Sequence, residues 1–340
     1  MVRAPLGTHN RGNDTPIPTP DRHMNDALPA APAEPVAPRR VAFGHVTWPF
    51  PSTLLGELTP TPRDGTGRVG AASDRLRATL AEHGYLFLRG AIDREAVRAA
   101  RARVLHYMAD SRGLEPGSRP LDGVMGATGR SVRMMGRPAV THHPAVRRVL
   151  EAPELVGLHR EIQGGDVMTY DYKWLRAVGH EEFTGAHMDH VYMGRGSPNV
   201  LTTWIPLDDI PIERGTLAVC EGSHRLDGFA RVRDTYGAMD VDRDRVAGWF
   251  SNDPGEIRDR FGGRWLTADM RAGDVLVFGL HLMHASTTNT TDRWRLSCDV
   301  RFQPVDEPVD LRWVGRHPAG HTDHGDAARP MAELRRRWGV

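Results

Sequence analysis

His187-Met188-Asp189 sets an imidazole and a carboxylate two residues apart, and His284 stands at the end of the apolar run Val275–Met283. In an extended strand, residues two apart point to the same side, so His187 and Asp189 can reach one metal ion, with His284 as a third ligand. Two histidines and one carboxylate on one face of a metal leave positions open and are diagnostic of non-haem Fe(II) oxygenases. A His-x-Asp pair by itself recurs by chance as two polar residues on a solvated strand; the residues after His284 raise its weight. Arg295 follows eleven positions on, past the turn Thr287–Arg293. A guanidinium there can pair bidentately with the distal carboxylate of a dicarboxylate cosubstrate. Ser286, two residues past His284, shares its face and can support that carboxylate. Arg293 has the same parity as Arg295, so periodicity does not choose between them.

Strands have to hold these groups. From Asp166 onward, short runs rich in aromatic and β-branched residues follow one another: Val167–Val178, Val200–Pro206, Thr216–Cys220, Asp274–Phe278 and Arg295–Phe302. Gly, Pro and Asp clusters separate them, which predicts an antiparallel sandwich or barrel. A long segment, about 225–270, interrupts the series and is expected to be a lid over the site. Upstream, the spacing predicts a helix over 74–83 stopped by Gly84, a strand at Tyr85–Leu88, a helix capped by Asp93 and a helix over 144–163, with residues 113–140 as loop. The fold class is therefore mainly β with flanking helices. Residues 1–40 are Pro- and Ala-rich and read as a disordered leader, 41–315 as the catalytic domain and 316–340 as a C-terminal tail.

Composition narrows the partners. A net charge of +1 gives no bulk case for nucleic acid or membrane, and no apolar run approaches the length of a bilayer span. Cys220 and Cys298 lie in no metal or redox motif, which fits core thiols of a cytoplasmic protein. The expected partner is a small-molecule substrate; the oligomeric state is not readable. By strand parity, His190 and His281 point away from the ligands and read as surface or supporting residues. Tyr170, Tyr172, Trp174 and Arg176 alternate on one strand face, where lining a pocket and packing a core are equally good readings. Asp240-x-Asp242-x-Asp244 begins like a calcium loop but has Arg245 where an EF-hand needs Gly; a solvated acidic face is the better reading. Those acids could also meet a cationic ligand.

The chain resembles the phytanoyl-CoA dioxygenase family over about residues 74–304. The likeness rests on Glu82-His83-Gly84-Tyr85-Leu86, His187-x-Asp189, Trp204-Ile205-Pro206-Leu207-Asp208, Gly215-Thr216-Leu217, Gly222-Ser223-His224 and the block from Ala272-Gly273-Asp274 through His284 and Asn289 to Arg295. Cys220-Glu221 stands where the family usually has Pro before Gly. The resemblance implies a double-stranded β-helix (jelly-roll) core, iron(II) on His187, Asp189 and His284, and 2-oxoglutarate and O2 as cosubstrates. It favours Arg295 over Arg293 as the anchor of 2-oxoglutarate, with Ser286 beside it. It makes Trp204 a pocket wall and Tyr172 a lining residue of the 2-oxoglutarate site. The implied reaction converts 2-oxoglutarate to succinate and CO2 while hydroxylating an unactivated carbon. Related halogenases have a small residue in place of Asp189, so its presence implies oxidation rather than halogenation. A cupin isomerase or zinc hydrolase has no use for Arg295, and a carbohydrate-binding jelly roll has no use for the ligand triad. For substrate, the expectation is a small polar secondary metabolite, an aminocyclitol of the validamycin type among them, with an acyl-CoA or other lipid-like substrate as the alternative.

Overall fold

The structure is a computed structural model that describes residues 39–62, 71–126, 132, 134–322, 324, 325 and 328–340. The expected leader falls outside these residues except for Arg39 and Arg40, which already belong to the first strand.

Twelve strands are present among the described residues: β1 Arg39–Phe43, β2 Val46–Phe50, β3 Leu55–Glu57, β4 Tyr85–Leu88, β5 Val167–Thr169, β6 Trp174–Val178, β7 Leu201–Pro206, β8 Leu217–Glu221, β9 Arg264–Thr267, β10 Val275–Gly279, β11 His284–Ser286 and β12 Arg295–Pro304. The larger sheet runs β4-β10-β7-β12-β5, with β6 beside β12; the smaller runs β11-β8-β9-β3. All pairs in both are antiparallel except β3 with β9. Strand alternation decides which face packs where. Trp204 of β7, Leu276 and Phe278 of β10, Leu217 and Val219 of β8 and Leu266 of β9 meet between the sheets. The opposite face of the larger sheet, with Ile205, Val275 and Val277, packs under the helices Arg94–Asp110, Pro144–Leu150 and Pro153–Gln163. The outer face of the smaller sheet, with Ala218, Cys220 and Trp265, lies under β1, β2 and the segment 229–250. This is the jelly-roll architecture, mainly β with flanking helices. No helix among the described residues is long and apolar enough to cross a membrane.

Several elements depart from the sequence expectation. The helix expected over 144–163 is two helices, because Pro153 cannot continue a helix from Ala152 and instead starts the next one. The run Val167–Val178 is two strands, broken at Tyr170–Lys173. The segment 225–270 is not one insertion: Arg264–Thr267 is β9, paired between β8 and β3, so the lid expectation had taken in a strand of the smaller sheet. Gly84 ends its helix as expected. At φ +87° it adopts a backbone that favours glycine, and a Cβ there would sit 2.5 Å from the His224 ring.

Candidate active site

His187 and His284 are joined by a β-bridge in which each amide donates to the other's carbonyl at 2.9 Å. The imidazoles are thereby neighbours, with ring centroids 4.1 Å apart. His187 Nδ1 faces the Gly185 carbonyl at 2.8 Å and His284 Nδ1 faces the Leu282 carbonyl at 3.0 Å. A carbonyl only accepts, so each Nδ1 carries the proton and each Nε2 turns a lone pair inward. Those Nε2 atoms lie 3.7 and 3.8 Å from Asp189 Oδ1. One ligand atom from each of the three residues fits within 4.8 Å of the others, a cluster that can take a single metal ion.

The route to this cluster differs from the expected strand. Asp189 has helical backbone angles (φ −62°, ψ −21°) and opens the short helix His190–Met193, so the carboxylate arrives by a turn rather than by strand alternation. The parity argument for His190 fails with it. His190 stacks on His281 at 4.5 Å, and neither ring lines the cavities beside His187, Asp189 and His284.

Asp189 Oδ2 is already engaged: Thr202 Oγ1 donates to it at 2.6 Å and Arg301 Nη2 at 3.2 Å. Oδ1 is left facing the histidines. Burial alone would raise the pKa of Asp189, but Arg301 and the two imidazoles outweigh it and hold the carboxyl below its ordinary range. Burial, with repulsion from His284, lowers His187 to about 3, and burial lowers His284 as well. The three groups thus stand in the charge states that a divalent metal requires of its ligands.

Beside the triad, a narrow cavity of about 20 Å³ is lined in part by Trp204, Phe278, Arg295 and Arg301. Arg295 is 2% exposed; its Nη1 donates to the Ser297 hydroxyl, and its Nε has no partner. Among the described residues no carboxylate forms an ion pair with it. Burial, with repulsion from Arg176, lowers its pKa to about 10. Burying an arginine without an anion is costly, and a dicarboxylate such as 2-oxoglutarate is the kind of ligand that would offset the cost. Trp204 lies beneath this guanidinium, 6.0 Å from ring centroid to Cζ. The Ser286 hydroxyl accepts from the Thr184 amide at 2.8 Å. Arg293 lies outside the cavity, half exposed in the turn, and donates to the Asp122 carbonyl.

A second, wider cleft of about 360 Å³ opens on His187 and Asp189 and is walled by Tyr172, Trp174, Tyr192 and Trp249 among others. Tyr172 lines this cleft and not the Arg295 cavity, because the break between β5 and β6 turns it onto Trp174 and Trp313. Tyr170, expected on the same face, is core instead, its hydroxyl donating to Gln303 at 2.7 Å. The acidic group is no solvated face. Asp240 is bound by Arg195 at 2.5 and 2.7 Å, Asp242 is paired with Arg312, and Asp244 with Arg243.

Two groups that hold the site, Asp299 and Arg301, are not singled out by the sequence reading, and Arg176, which that reading leaves between pocket and core, joins them at the cleft wall. Arg176 donates to Asp299 at 2.7 Å, Asp299 lies 3.6 Å from Arg301, and Arg301 reaches Asp189. Arg301 also stacks on Trp174, 4.1 Å from the ring centroid. The signal was present in β12, where Arg295, Ser297, Asp299, Arg301 and Gln303 alternate with Leu296, Cys298, Val300 and Phe302. A polar row on a wholly buried strand has to face something polar.

The family Phytanoyl-CoA dioxygenase (PhyH) matches residues 80–297. The 1-deoxypentalenic acid 11-beta-hydroxylase of Streptomyces exfoliatus is 28% identical over 242 residues, covering 66% of this chain and 78% of that protein. The L-proline trans-4-hydroxylase of Streptomyces griseoviridis is 31% identical over 175 residues, 46% of this chain and 62% of that protein. Among solved structures, the non-heme alpha ketoglutarate dependent carbocyclase SnoK from nogalamycin biosynthesis shares the fold at a TM-score of 0.50 and 20% identity, over 78% of this chain and 97% of that one. EctD from S. alaskensis does so at a TM-score of 0.50 and 18% identity, over 81% and 93%. The match to two sequence-distant structures carries the fold, and the family match over more than half of the chain carries the enzyme class. The chain belongs to the phytanoyl-CoA dioxygenase family and is a dioxygenase that uses Fe(II), 2-oxoglutarate and O2.

Proposed function

We propose that this enzyme hydroxylates an unactivated carbon of a compact secondary metabolite that enters the aromatic-walled cleft. In this reading His187, Asp189 and His284 hold iron(II), Arg295 and Ser286 receive the distal carboxylate of 2-oxoglutarate, and Trp204 closes that pocket. Iron and 2-oxoglutarate together supply the O2-activating chemistry, one oxygen atom leaving in succinate and the other going to substrate. The protein's own tasks are geometric. Gly185 and Leu282 fix the histidine tautomers, Thr202 and Arg301 occupy one oxygen of Asp189, and the buried walls exclude water. The observation that carries the reading is the unpaired, buried Arg295 next to the triad. The cleft supports the size class, since about 360 Å³ is the lower range of small-molecule pockets. The two named Streptomyces hydroxylases act on small molecules, which supports the metabolite class.

The aminocyclitol expectation loses its footing. Asp240, Asp242 and Asp244 are spent on arginines, and the only carboxylate among the described cleft-lining residues is Asp189. A substrate with a ring or hydrocarbon body fits the tryptophan and tyrosine walls better than a cationic polyol. The test is succinate formation with Fe(II) and 2-oxoglutarate across a panel of cyclic carboxylic acids, cyclic alcohols, amino acids, aminocyclitols and acyl-CoAs, with mass spectrometry for a product heavier by one oxygen. Stimulation by a cyclic acid or alcohol with a hydroxylated product supports the proposal; stimulation by acyl-CoA alone overturns it.

A further inference from the structure

The family match stops at residue 297, yet His321 and Thr322 help wall the cleft that reaches Asp189. They belong to an irregular run after β12 that is tied down at several points. Gly315 N donates to Asp171 Oδ2 at 2.6 Å, Tyr172 N to the Trp313 carbonyl at 3.0 Å and Gly320 N to the Arg312 carbonyl at 3.1 Å. Trp313 is fully buried against Trp174, and its ring also meets His321 at 4.7 Å. Arg312 donates to Asp310, to Asp242 and, at 2.9 Å, to the Tyr192 carbonyl. Asp242 in turn accepts from the Thr322 amide at 2.9 Å and faces His321 Nδ1 at 3.2 Å. The acids in the middle of the chain therefore hold the C-terminal run in place.

We propose that His321 is a specificity-determining residue whose Nε2 accepts a hydrogen bond from a hydroxyl or amide N–H of the substrate, with Asp242 and Arg312 as its positioning residues. His321 Nδ1 has two neighbours, the Asp242 carboxylate at 3.2 Å and Arg312 Nη1 at 3.5 Å, and Nη1 already donates to Asp242. The nearer carboxylate only accepts, so the His321 proton sits on Nδ1 and a lone pair is left on Nε2. Among the described residues no hydrogen bond engages Nε2. The side chain is 29% exposed and lies on the cleft wall, edge-on to Tyr192 with ring centroids 5.5 Å apart. Burial lowers the pKa of His321 against the pull of Asp242, which supports a neutral acceptor. The cleft then adds a fixed acceptor to its tryptophan and tyrosine walls. It selects a compact substrate by the position of a neutral donor relative to the carbon being oxidised.

The proposal rests on the cleft being the substrate site, so the experiment reads core and wall separately. His321→Phe keeps an aromatic ring and removes the acceptor; His321→Gln keeps an acceptor and a donor for Asp242. Each variant and the wild type are loaded anaerobically with Fe(II) and 2-oxoglutarate, and the visible charge-transfer band is recorded. The KM is then measured with the panel compound that most stimulates wild-type succinate formation, and again with its O- or N-methylated analogue. The expected result is a KM for the parent compound about tenfold higher in His321→Phe, the size of one lost hydrogen bond, and restored for the most part in His321→Gln. The methylated analogue should show no such difference between Phe and wild type. An unchanged KM in His321→Phe overturns the proposal, as does an equal change with the methylated analogue. Loss of the charge-transfer band in both variants also overturns it, because the run would then be supporting the barrel. A wild type without the band would overturn the iron and 2-oxoglutarate reading itself, and this proposal with it.

Discussion

Arg301 meets Asp189 in an ion pair of 3.2 Å, with both side chains 3% exposed. The pair does more than neutralise a buried carboxylate. With Thr202 on the same oxygen, it leaves Asp189 one free oxygen, Oδ1, and that oxygen faces both imidazoles. Trp174 packs against the guanidinium, 4.1 Å from ring centroid to Cζ, and keeps it in place. Replacing Arg301 with Met should therefore weaken Fe(II) binding about 10- to 100-fold, the usual cost of losing a partner of a metal ligand. Anaerobic Fe(II) titration would measure it, and an unchanged affinity would show that Asp189 orients itself.

Arg295 and Arg293 should separate cleanly. Arg295→Ala should weaken 2-oxoglutarate binding by about 3 kcal/mol, because a buried anion would lose its partner. Arg293→Ala should cost well under 1 kcal/mol, since that side chain is half exposed and bonded to a backbone carbonyl in the turn. Titration of 2-oxoglutarate into the Fe(II)-loaded protein reads both; the reverse order would move the anchor to Arg293.

The metal-free protein should lose stability on mild acidification. His159 is fully buried, stacked on Phe302 at 4.1 Å with Nε2 facing Thr203 Oγ1 at 2.7 Å, and burial lowers its pKa to about 3 from 6.5. The unfolded chain takes up this proton near pH 6.5, whereas the folded chain does not until near pH 3. Stability is thus lost as pH falls through that window, by on the order of 2 kcal/mol at pH 5 from this residue. His187, lowered for the same reason, adds to the fall. Urea unfolding at pH 7 and pH 5 gives the difference; equal midpoints and slopes would refute it.

Asp240 should matter for folding rather than for substrate. It caps the turn of helix Val241–Asp244 through the amides of Asp242 and Arg243, and it takes a bidentate pair from Arg195. Asp240→Ala should cost about 2 kcal/mol of unfolding free energy, the sum of a lost cap and a lost charged partner. A thermal midpoint equal to wild type would contradict this.

These groups differ in how far sequence alone reveals them. His187 and Asp189 stand out by their spacing and His284 by closing the apolar run Val275–Met283, whereas Arg295 is separated from Arg293 only by the family likeness. The turn at Asp189 was not visible: His-Met-Asp reads equally well as strand or as the start of a helix, and only the bridge from His187 to His284 decides. β9 was missed because four residues carry little periodicity; its place comes from pairing with β8 and β3, 43 or more residues away along the chain in the case of Glu221 with Arg264. Asp240 reads as a surface charge until Arg195, 45 positions away, is seen beside it. Arg301 could have been found, since β12 shows a strict polar alternation from Arg295 to Gln303.

The most direct test of the account is Fe(II) and 2-oxoglutarate binding to the wild type and to His284→Ala under anaerobic conditions, followed by succinate formation on admitting O2. Wild type should bind both, show the charge-transfer band of the chelate and produce succinate. His284→Ala should show neither the band nor succinate while its circular dichroism stays at the wild-type level. Full succinate formation by a folded His284→Ala protein would contradict the assignment of His187, Asp189 and His284 as the iron site.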